Sequence, residues 1–332
     1  MMWNEQSIRN YIGLLESKGL PVIFDLEHLR RLIGVEKQYF YKLTNSINES
    51  YSFFTIRKRN GGSRTISIPF SNLRTIQNWI LNNILTTQQV AESATGFIKG
   101  KSIVDNAKPH IGHKYIYKTD IVDFFSSIKF KSVLALFLRL GYVKEVAYIL
   151  ARFCTYDGYL PQGAPTSPYI SNLILYNFDI ELQKICCLSK FSYTRYADDI
   201  TISSNGEHLI DSNLLSATIT KLLQDISFEL KINFKKTKVL HPGQRKIVTG
   251  VLVNEKLNVP KEIISDIRLE LFCLNKHGLS NRIKHYNEKH KTALSVALYR
   301  QKIYGKICFV NMINPKKAEK LFQEFYKIKW LL

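Results

Sequence analysis

Cysteine is scarce in this 332-residue chain, and its five copies are Cys154, Cys186, Cys187, Cys273 and Cys308. They form no CxxC pair and no zinc spacing. The adjacent pair at 186–187 suits neither a simple disulfide framework nor a metal site. Small buried hydrophobes in a reducing compartment are the expectation. No stretch reaches the roughly 18 apolar residues of a membrane helix. The opening, MMWNEQSIRNYIGLL, sets acid and amide residues before its apolar part and has no small-residue cleavage site. It does not read as a signal peptide, so a cytoplasmic protein without a membrane partner is expected. No repeat, low-complexity tract or Pro/Gly/Ser-rich linker divides the chain, so its domains should be lobes of one body. Acidic residues are also few: 27 Asp and Glu face 47 Lys and Arg, a net charge of +20. That surplus points to a polyanion, with nucleic acid the default. A merely solvated basic face is the bland alternative. The excess is uneven, because residues 235–332 carry 21 basic and 7 acidic groups, leaving +6 for the first 234. Hydrophobic residues at 45% and charged residues at 22% are ordinary globular usage and exclude whole-chain disorder. The length suggests about two domains at roughly 150 residues each.

Periodicity supplies a coarse element order. Residues 1–50 read as short helices with a turn at Gly19–Leu20–Pro21. Two alternating runs, 51–56 and 65–69, flank Asn60–Gly61–Gly62 and predict a hairpin. Leu73, Ile76, Ile80 and Ile84 mark one helical face within 71–90. A buried strand over 115–122 ends in acid. Helices follow at 131–140, stopped by Gly141, and on to about 153. Residues 160–168 (LPQGAPTSP) are too rich in Pro and Gly for a regular element and predict a shaped loop. A helix is expected from about 169 to 184, then strand, acidic turn and strand over 192–203, and a helix over 213–228. A β-pair joins 246–254 to 257–259, and 260–332 is mostly helical. The order strand, helix, hairpin, helix, strand in 115–254 resembles a split βαβ, ferredoxin-like unit with a helical insertion, an α+β class. Fold alone proves no function.

Chemistry concentrates in carboxylates. Asp198 and Asp199 sit between two β-patterned runs, and Asp has an innocent place at turns. Thr201 and Ser203 alternate with Ile200 and Ile202, which predicts a hairpin with one buried face. Two like charges at its tip are costly unless a cation neutralises them. Asp120, ending another strand, could join them. Oxygen-only ligands favour Mg2+ or Mn2+ over zinc. Two such ions, roughly 3.5–4 Å apart, would bind the attacking and leaving oxygens of an in-line phosphoryl transfer. Positioning and charge neutralisation would do the rest.

Tyr196–Ala197–Asp198–Asp199 resembles the YxDD signature of reverse transcriptases, and its companions occur in the expected order. Asp120–Ile121–Val122–Asp123–Phe124–Phe125 resembles the first catalytic block. Leu160–Pro161–Gln162–Gly163 with Ser167–Pro168 resembles the template and nucleotide loop, and 232–237 (INFKKT) the later lysine block. The likeness covers roughly residues 50–255. It implies a right-hand polymerase: N-terminal helices and fingers over 1–115 (parts of 70–100 packing with the palm), a ferredoxin-like palm over 116–250 with an insertion near 141–190, and a basic helical thumb over 251–332. It implies that Asp120, Asp198 and Asp199, with the Ile121 carbonyl, hold two Mg2+ ions. Asp123 is a weaker candidate with a structural alternative. Arg64, with Arg57 and Lys58, would hold a dNTP triphosphate; an exposed charged turn is the alternative. Phe125 would favour dNTP by colliding with a ribose 2′-OH, or simply pack in the core. Gln162 would touch the nucleotide, with Gly163 allowing close backbone approach. Lys236 would act near the leaving pyrophosphate, with Lys235 and Lys238 as alternatives.

Two further motifs narrow the likeness. Asn106–Ala107–Lys108–Pro109–His110 is similar to the NAxxH pattern, and Val248–Thr249–Gly250 to the VTG pattern, of retron reverse transcriptases. Asn106 and His110 could grip RNA or form a satisfied pair that shapes the fold. Thr249 and Gly250 could let a nucleic-acid backbone pass, or form a bulge. Arg282, Lys284, Lys289 and Lys291 could read an RNA stem by its phosphates. Most of Tyr286, Tyr299, Tyr304 and Tyr326 should pack between helices. The likeness implies a bacterial enzyme with a cognate non-coding RNA of msr–msd type as template and primer. It implies a guanosine 2′-OH start, a branched msDNA product, dNTP substrates and anti-phage defence with a separate effector protein, for which this chain has no room. Alternatives are a group II intron-like, diversity-generating or abortive-infection enzyme, or an RNA-binding scaffold that has lost catalysis.

Overall fold

Local capping fixes where the first helices begin and end. In the computed structural model, which describes residues 4–57, 61–206 and 211–330, Asn4 and Ser7 form a capping box at the start of α1 (Glu5–Ser17). Asp25 caps α2 (Leu26–Ile33), which stops at Gly34 in the left-handed conformation. After α3 (Lys37–Asn45), β1 (Tyr51–Arg57) and β2 (Ser63–Pro69) pair antiparallel, from Tyr51 opposite Pro69 to Arg57 opposite Ser63. The expected hairpin is present. The expected apolar face of α4 (Ser71–Ile80) is too: Leu73, Ile76, Ile80 and Ile84 are all fully buried. The helical run ends through a π-turn at Leu81–Leu85, short of residue 90.

The middle of the chain comprises α5 (Ile103–Ala107), β3 (Tyr115–Asp120), α6 (Phe124–Ser127), α7 (Phe130–Leu140), α8 (Lys144–Cys154), α9 (Ser167–Ile174), α10 (Tyr176–Leu188), β4 (Ser192–Tyr196), β5 (Asp199–Ser204), α11 (Ser212–Gln224) and β6 (Lys238–Leu240). Gly141, at φ +114, stops α7 as expected. The single helix predicted over 169–184 is two helices broken at Leu175, where no glycine or proline marks the break. Strand order in the four-stranded sheet is β4-β5-β3-β6, the arrangement a split βαβ unit produces. β5 lies inside that sheet, so Thr201, Ser203 and Ser204 are as buried as Ile200 and Ile202. One buried face was expected; there are two.

Near the C-terminal end β7 (Ile247–Val248) and β8 (Val251–Leu252) form a tight hairpin. The expected pairing with 257–259 survives as one bridge from Leu252 to Asn258. Four helices follow: α12 (Lys261–His277), α13 (Leu279–His290), α14 (Val296–Ile313) and α15 (Pro315–Lys327). By packing, the described residues divide into two units. Unit 1 holds residues up to 100, 117–202 and 211–239; unit 2 holds 101–116, 203–206 and 240–330. Residues 101–116, expected within the N-terminal part, therefore belong with the C-terminal helices. There Ala107 and Ile116 join Val248, Ile267, Ile303 and Phe325 in one apolar core. All five cysteines are free thiols. Burial pushes Cys154 and Cys186 up to about 12, while Cys187 is exposed, unlike the buried hydrophobe expected.

Candidate active site

The β4–β5 turn is built on a buried charge pair. Arg195, with no exposed surface, donates from Nε to Asp179 Oδ1 at 2.8 Å and from Nη2 to Asp179 Oδ2 at 2.5 Å. Its Nη1 donates to the Ala197 carbonyl at 3.0 Å. Tyr193 donates its hydroxyl to Asp179 at 2.7 Å. Burial and the neighbouring carboxylate hold that hydroxyl well above the ordinary phenol range. Ala197 has a φ of +56, a conformation disfavoured for any residue with a Cβ. The guanidinium grips the carbonyl of this strained residue, and the turn projects Asp198 and Asp199.

β3 delivers Asp120 to the same place. Its backbone is braced on both sides: Asn233 N–H donates to the Asp120 carbonyl at 2.7 Å, and Ile121 N–H donates to the Asp198 carbonyl at 3.1 Å. Asp120, Asp198 and Asp199 all line one cleft of about 690 Å3, with Ile121, Asp123, Phe125, Gln162 and Lys236 also in its walls. Burial raises the Asp198 carboxyl above its ordinary range, and the charges of Asp199 and Asp120 push the same way, against Arg64. Lys236 Nζ donates to Asp120 Oδ2 at 2.8 Å. That bond, with the three acidic charges, raises the lysine further. Of the three lysines considered, Lys236 is the one on the cleft wall. Among the described residues no three His, Cys, Asp or Glu side chains are drawn into a ready-made metal site, and Asp120 is turned onto Lys236 instead. The donor set is nevertheless oxygen-only and mutually repelling, which suits a hard divalent cation.

The remaining expectations for unit 1 separate. Arg64 lines the cleft; Arg57 is exposed on β1 and is not among the cleft residues. Lys58 lies outside the described residues. Gln162 faces the cleft, and its carbonyl accepts from Ser67 N–H at 2.8 Å. Gly163 does permit a close approach, but to β2: a Cβ there, at φ +130, would stand 2.7 Å from the Ser67 carbonyl oxygen. Phe125 is half-buried against Phe124 and Phe97. Phe97 itself was not anticipated. Nor were Asp179 and Arg195 as a pair, which lie sixteen positions apart with no local pattern joining them.

Unit 2 corrects several expectations of RNA contact. Asn106 and His110 are completely buried. Asn106 Nδ2 donates to Thr249 Oγ1 at 3.3 Å, and His110 Nδ1 lies 2.6 Å from Ser203 Oγ. Direct contact with RNA is closed to both side chains; each is buried and hydrogen-bonded within the fold, Asn106 with Thr249 and His110 with Ser203. Thr249 and Gly250 are the two central residues of the β7–β8 hairpin, at φ +46 and +87, the left-handed pair such a two-residue turn needs. A β-branched residue is strained there, and Asn106 together with the Ile103 carbonyl, 3.1 Å from Thr249 Oγ1, holds it. Gly250 is exposed. Arg282 is engaged internally, in a two-pronged 2.9 Å bond to Glu270, which also receives the Tyr299 hydroxyl at 2.5 Å. It is not a free cation for RNA. Lys284, Lys289 and Lys291 are exposed. Tyr286 and Tyr299 are core residues, whereas Tyr304 and Tyr326 are exposed.

A family profile described as "Reverse transcriptase (RNA-dependent DNA polymerase)" matches residues 56–291. The Retron Ec86 reverse transcriptase of Escherichia coli is 31% identical over 322 residues, covering 92% of this chain and 97% of that protein. The Retron Mx65 reverse transcriptase of Myxococcus xanthus is 31% identical over 327 residues, covering 91% of this chain and 71% of that protein. Among solved structures, a telomerase from Candida albicans in complex with a telomeric RNA fragment has 12% identity and a TM-score of 0.47. The match takes in 97% of this chain and 65% of that one.

Proposed function

The chain belongs to the retron reverse transcriptases, and on that footing we propose that it copies one cognate structured RNA into DNA. With the family come the right-hand polymerase fold and RNA-directed DNA polymerase activity. The finer reading is that an RNA of msr–msd type serves as template and primer. A guanosine 2′-OH within it starts synthesis, the product is branched msDNA, and the system serves anti-phage defence with a separate effector protein. The observation that carries the catalytic part is the meeting of Asp120, Asp198 and Asp199 in one cleft that also holds Arg64 and Lys236.

In this reading Asp120, Asp198, Asp199 and the Ile121 carbonyl hold divalent metal, two Mg2+ ions or Mn2+ in their place. Metal held by these groups would supply charge neutralisation for the phosphates and lower the pKa of the attacking hydroxyl. The protein's own groups position. Arg64 pairs with the triphosphate through its planar fork. Phe125 offers its ring to the deoxyribose, and Gln162 orients the nucleotide. Lys236, on the cleft wall and bonded to Asp120, would stabilise the departing pyrophosphate or give it a proton. On unit 2, Gly250 offers an exposed backbone at its turn, and Lys284, Lys289 and Lys291 meet RNA phosphates.

The test is direct. Protein purified with its co-expressed RNA and given dNTPs and Mg2+ is expected to make DNA covalently linked to RNA. The double substitution Asp198→Ala with Asp199→Ala is expected to abolish that product while leaving the RNA bound. Absence of product with the wild-type protein, or undiminished product with the double variant, would refute the catalytic reading and favour an RNA-binding scaffold.

A further inference from the structure

We propose that Phe97 is a stacking platform for a nucleoside inside the cleft, held out by a backbone that spends strain to do so. This rests on the polymerase reading of that cleft and adds a binding element to it. The Phe97 ring is 44% exposed and lines the cleft with the three carboxylates. It stands between Phe125, centroids 6.2 Å apart, and Tyr196, at 6.1 Å. A flat apolar face partly open to water inside a cleft offers a flat ligand a surface to cover. Nucleobases have that shape, and aromatic side chains hold them in sequence-tolerant fashion because every base has a π-face.

Conformation supports a display role. Phe97 has a φ of +64, where a bulky side chain is an outlier. Residues kept in such regions persist when their surroundings over-determine them, and they gather at functional sites. The surroundings here do so. Thr95 bonds the Arg195 carbonyl from its N–H at 2.8 Å and from its hydroxyl at 3.1 Å. Asn172 Nδ2, in the buried interior, donates to the Gly96 carbonyl at 2.9 Å. Gly96 leaves no space for a Cβ, which would lie 2.8 Å from Ala197 N. The segment carrying Phe97 is thus clamped to the same turn that carries Asp198, which fixes the ring relative to the carboxylates. The nucleoside could be that of the incoming deoxynucleotide or that of the last residue of the strand being extended. The ligand chemistry is the same for both.

Phe97→Gly provides a test in which the backbone is relieved rather than broken. The full-length protein would be assayed on a DNA primer annealed to an RNA template. We expect Phe97→Gly to melt no lower than wild type, yet to weaken either the KM for dNTP or the Kd for primer–template about tenfold. A change in KM alone assigns the ring to the incoming nucleotide; a change in Kd alone assigns it to the primer end. Phe97→Tyr, which keeps the flat face, should restore binding to within about twofold, and Phe97→Leu should not. If Phe97→Gly binds and extends as wild type does, or if it melts lower and Phe97→Leu repairs it, Phe97 is a packing residue and the inference fails. Wild-type protein that does not extend the primer would instead overturn the polymerase reading of the cleft.

Discussion

Gly163 sits where the loop after residue 160 touches β2, with its neighbour Gln162 tied to Ser67. Alanine there must adopt φ +130 and place a carbon 2.7 Å from a backbone oxygen that cannot move away. Gly163→Ala is therefore expected to cost about 1–3 kcal/mol, measured as a lowered urea midpoint with unchanged slope. A loss below about 0.5 kcal/mol would mean that the contact is softer than it looks. Individual residues differ in how far they could be read in advance. The carboxylates were legible because acids at the ends of β-patterned runs violate the pattern around them. Gly163 was expected to let the backbone approach a nucleotide; the close neighbour in the structure is β2, which no local pattern announces. Phe97 was not legible, because a positive φ leaves no trace in the order of residues. Asn106 and His110 are polar letters that look like surface, and only burial shows that they are spent inside.

At the level of elements, hairpins and amphipathic helices followed from period and punctuation, as in β1–β2 and α4. The break at Leu175 did not, since it has neither Gly nor Pro and depends on what α9 and α10 meet in space. The ionic support under the β4–β5 turn was hidden for the same reason: Asp179 lies in α10 and Arg195 in β4, and no periodicity links them. Their coupling can be tested. Asp179→Asn removes the carboxylate and leaves the guanidinium charged and wholly buried. Loss of one partner of such a pair is expected to cost about 3–5 kcal/mol, seen as a large drop in thermal midpoint. A drop of less than about 1 kcal/mol equivalent would show that Arg195 finds another partner or reaches water.

For the molecule as a whole, the surplus of positive charge was plain from composition, but its distribution among free and engaged groups was not. Arg282 spends its charge on Glu270, whereas Lys284, Lys289 and Lys291 stay exposed. Substituting these three lysines together by alanine should weaken RNA binding and reduce the slope of log affinity against log salt by about 2. Titration at several salt concentrations reads this directly, and an unchanged slope would remove the three lysines from the RNA surface. The expected divisions near 115 and 250 also failed to anticipate how the second unit is assembled, because packing joins stretches far apart in the chain. Ala107 and Ile116 leave the ribosome well before the helices that cover them. Until translation nears its end these side chains face water or a chaperone. A premature stop after residue 239 would accordingly release a polypeptide with a sticky strip along one flank, fit for degradation, rather than a smaller enzyme.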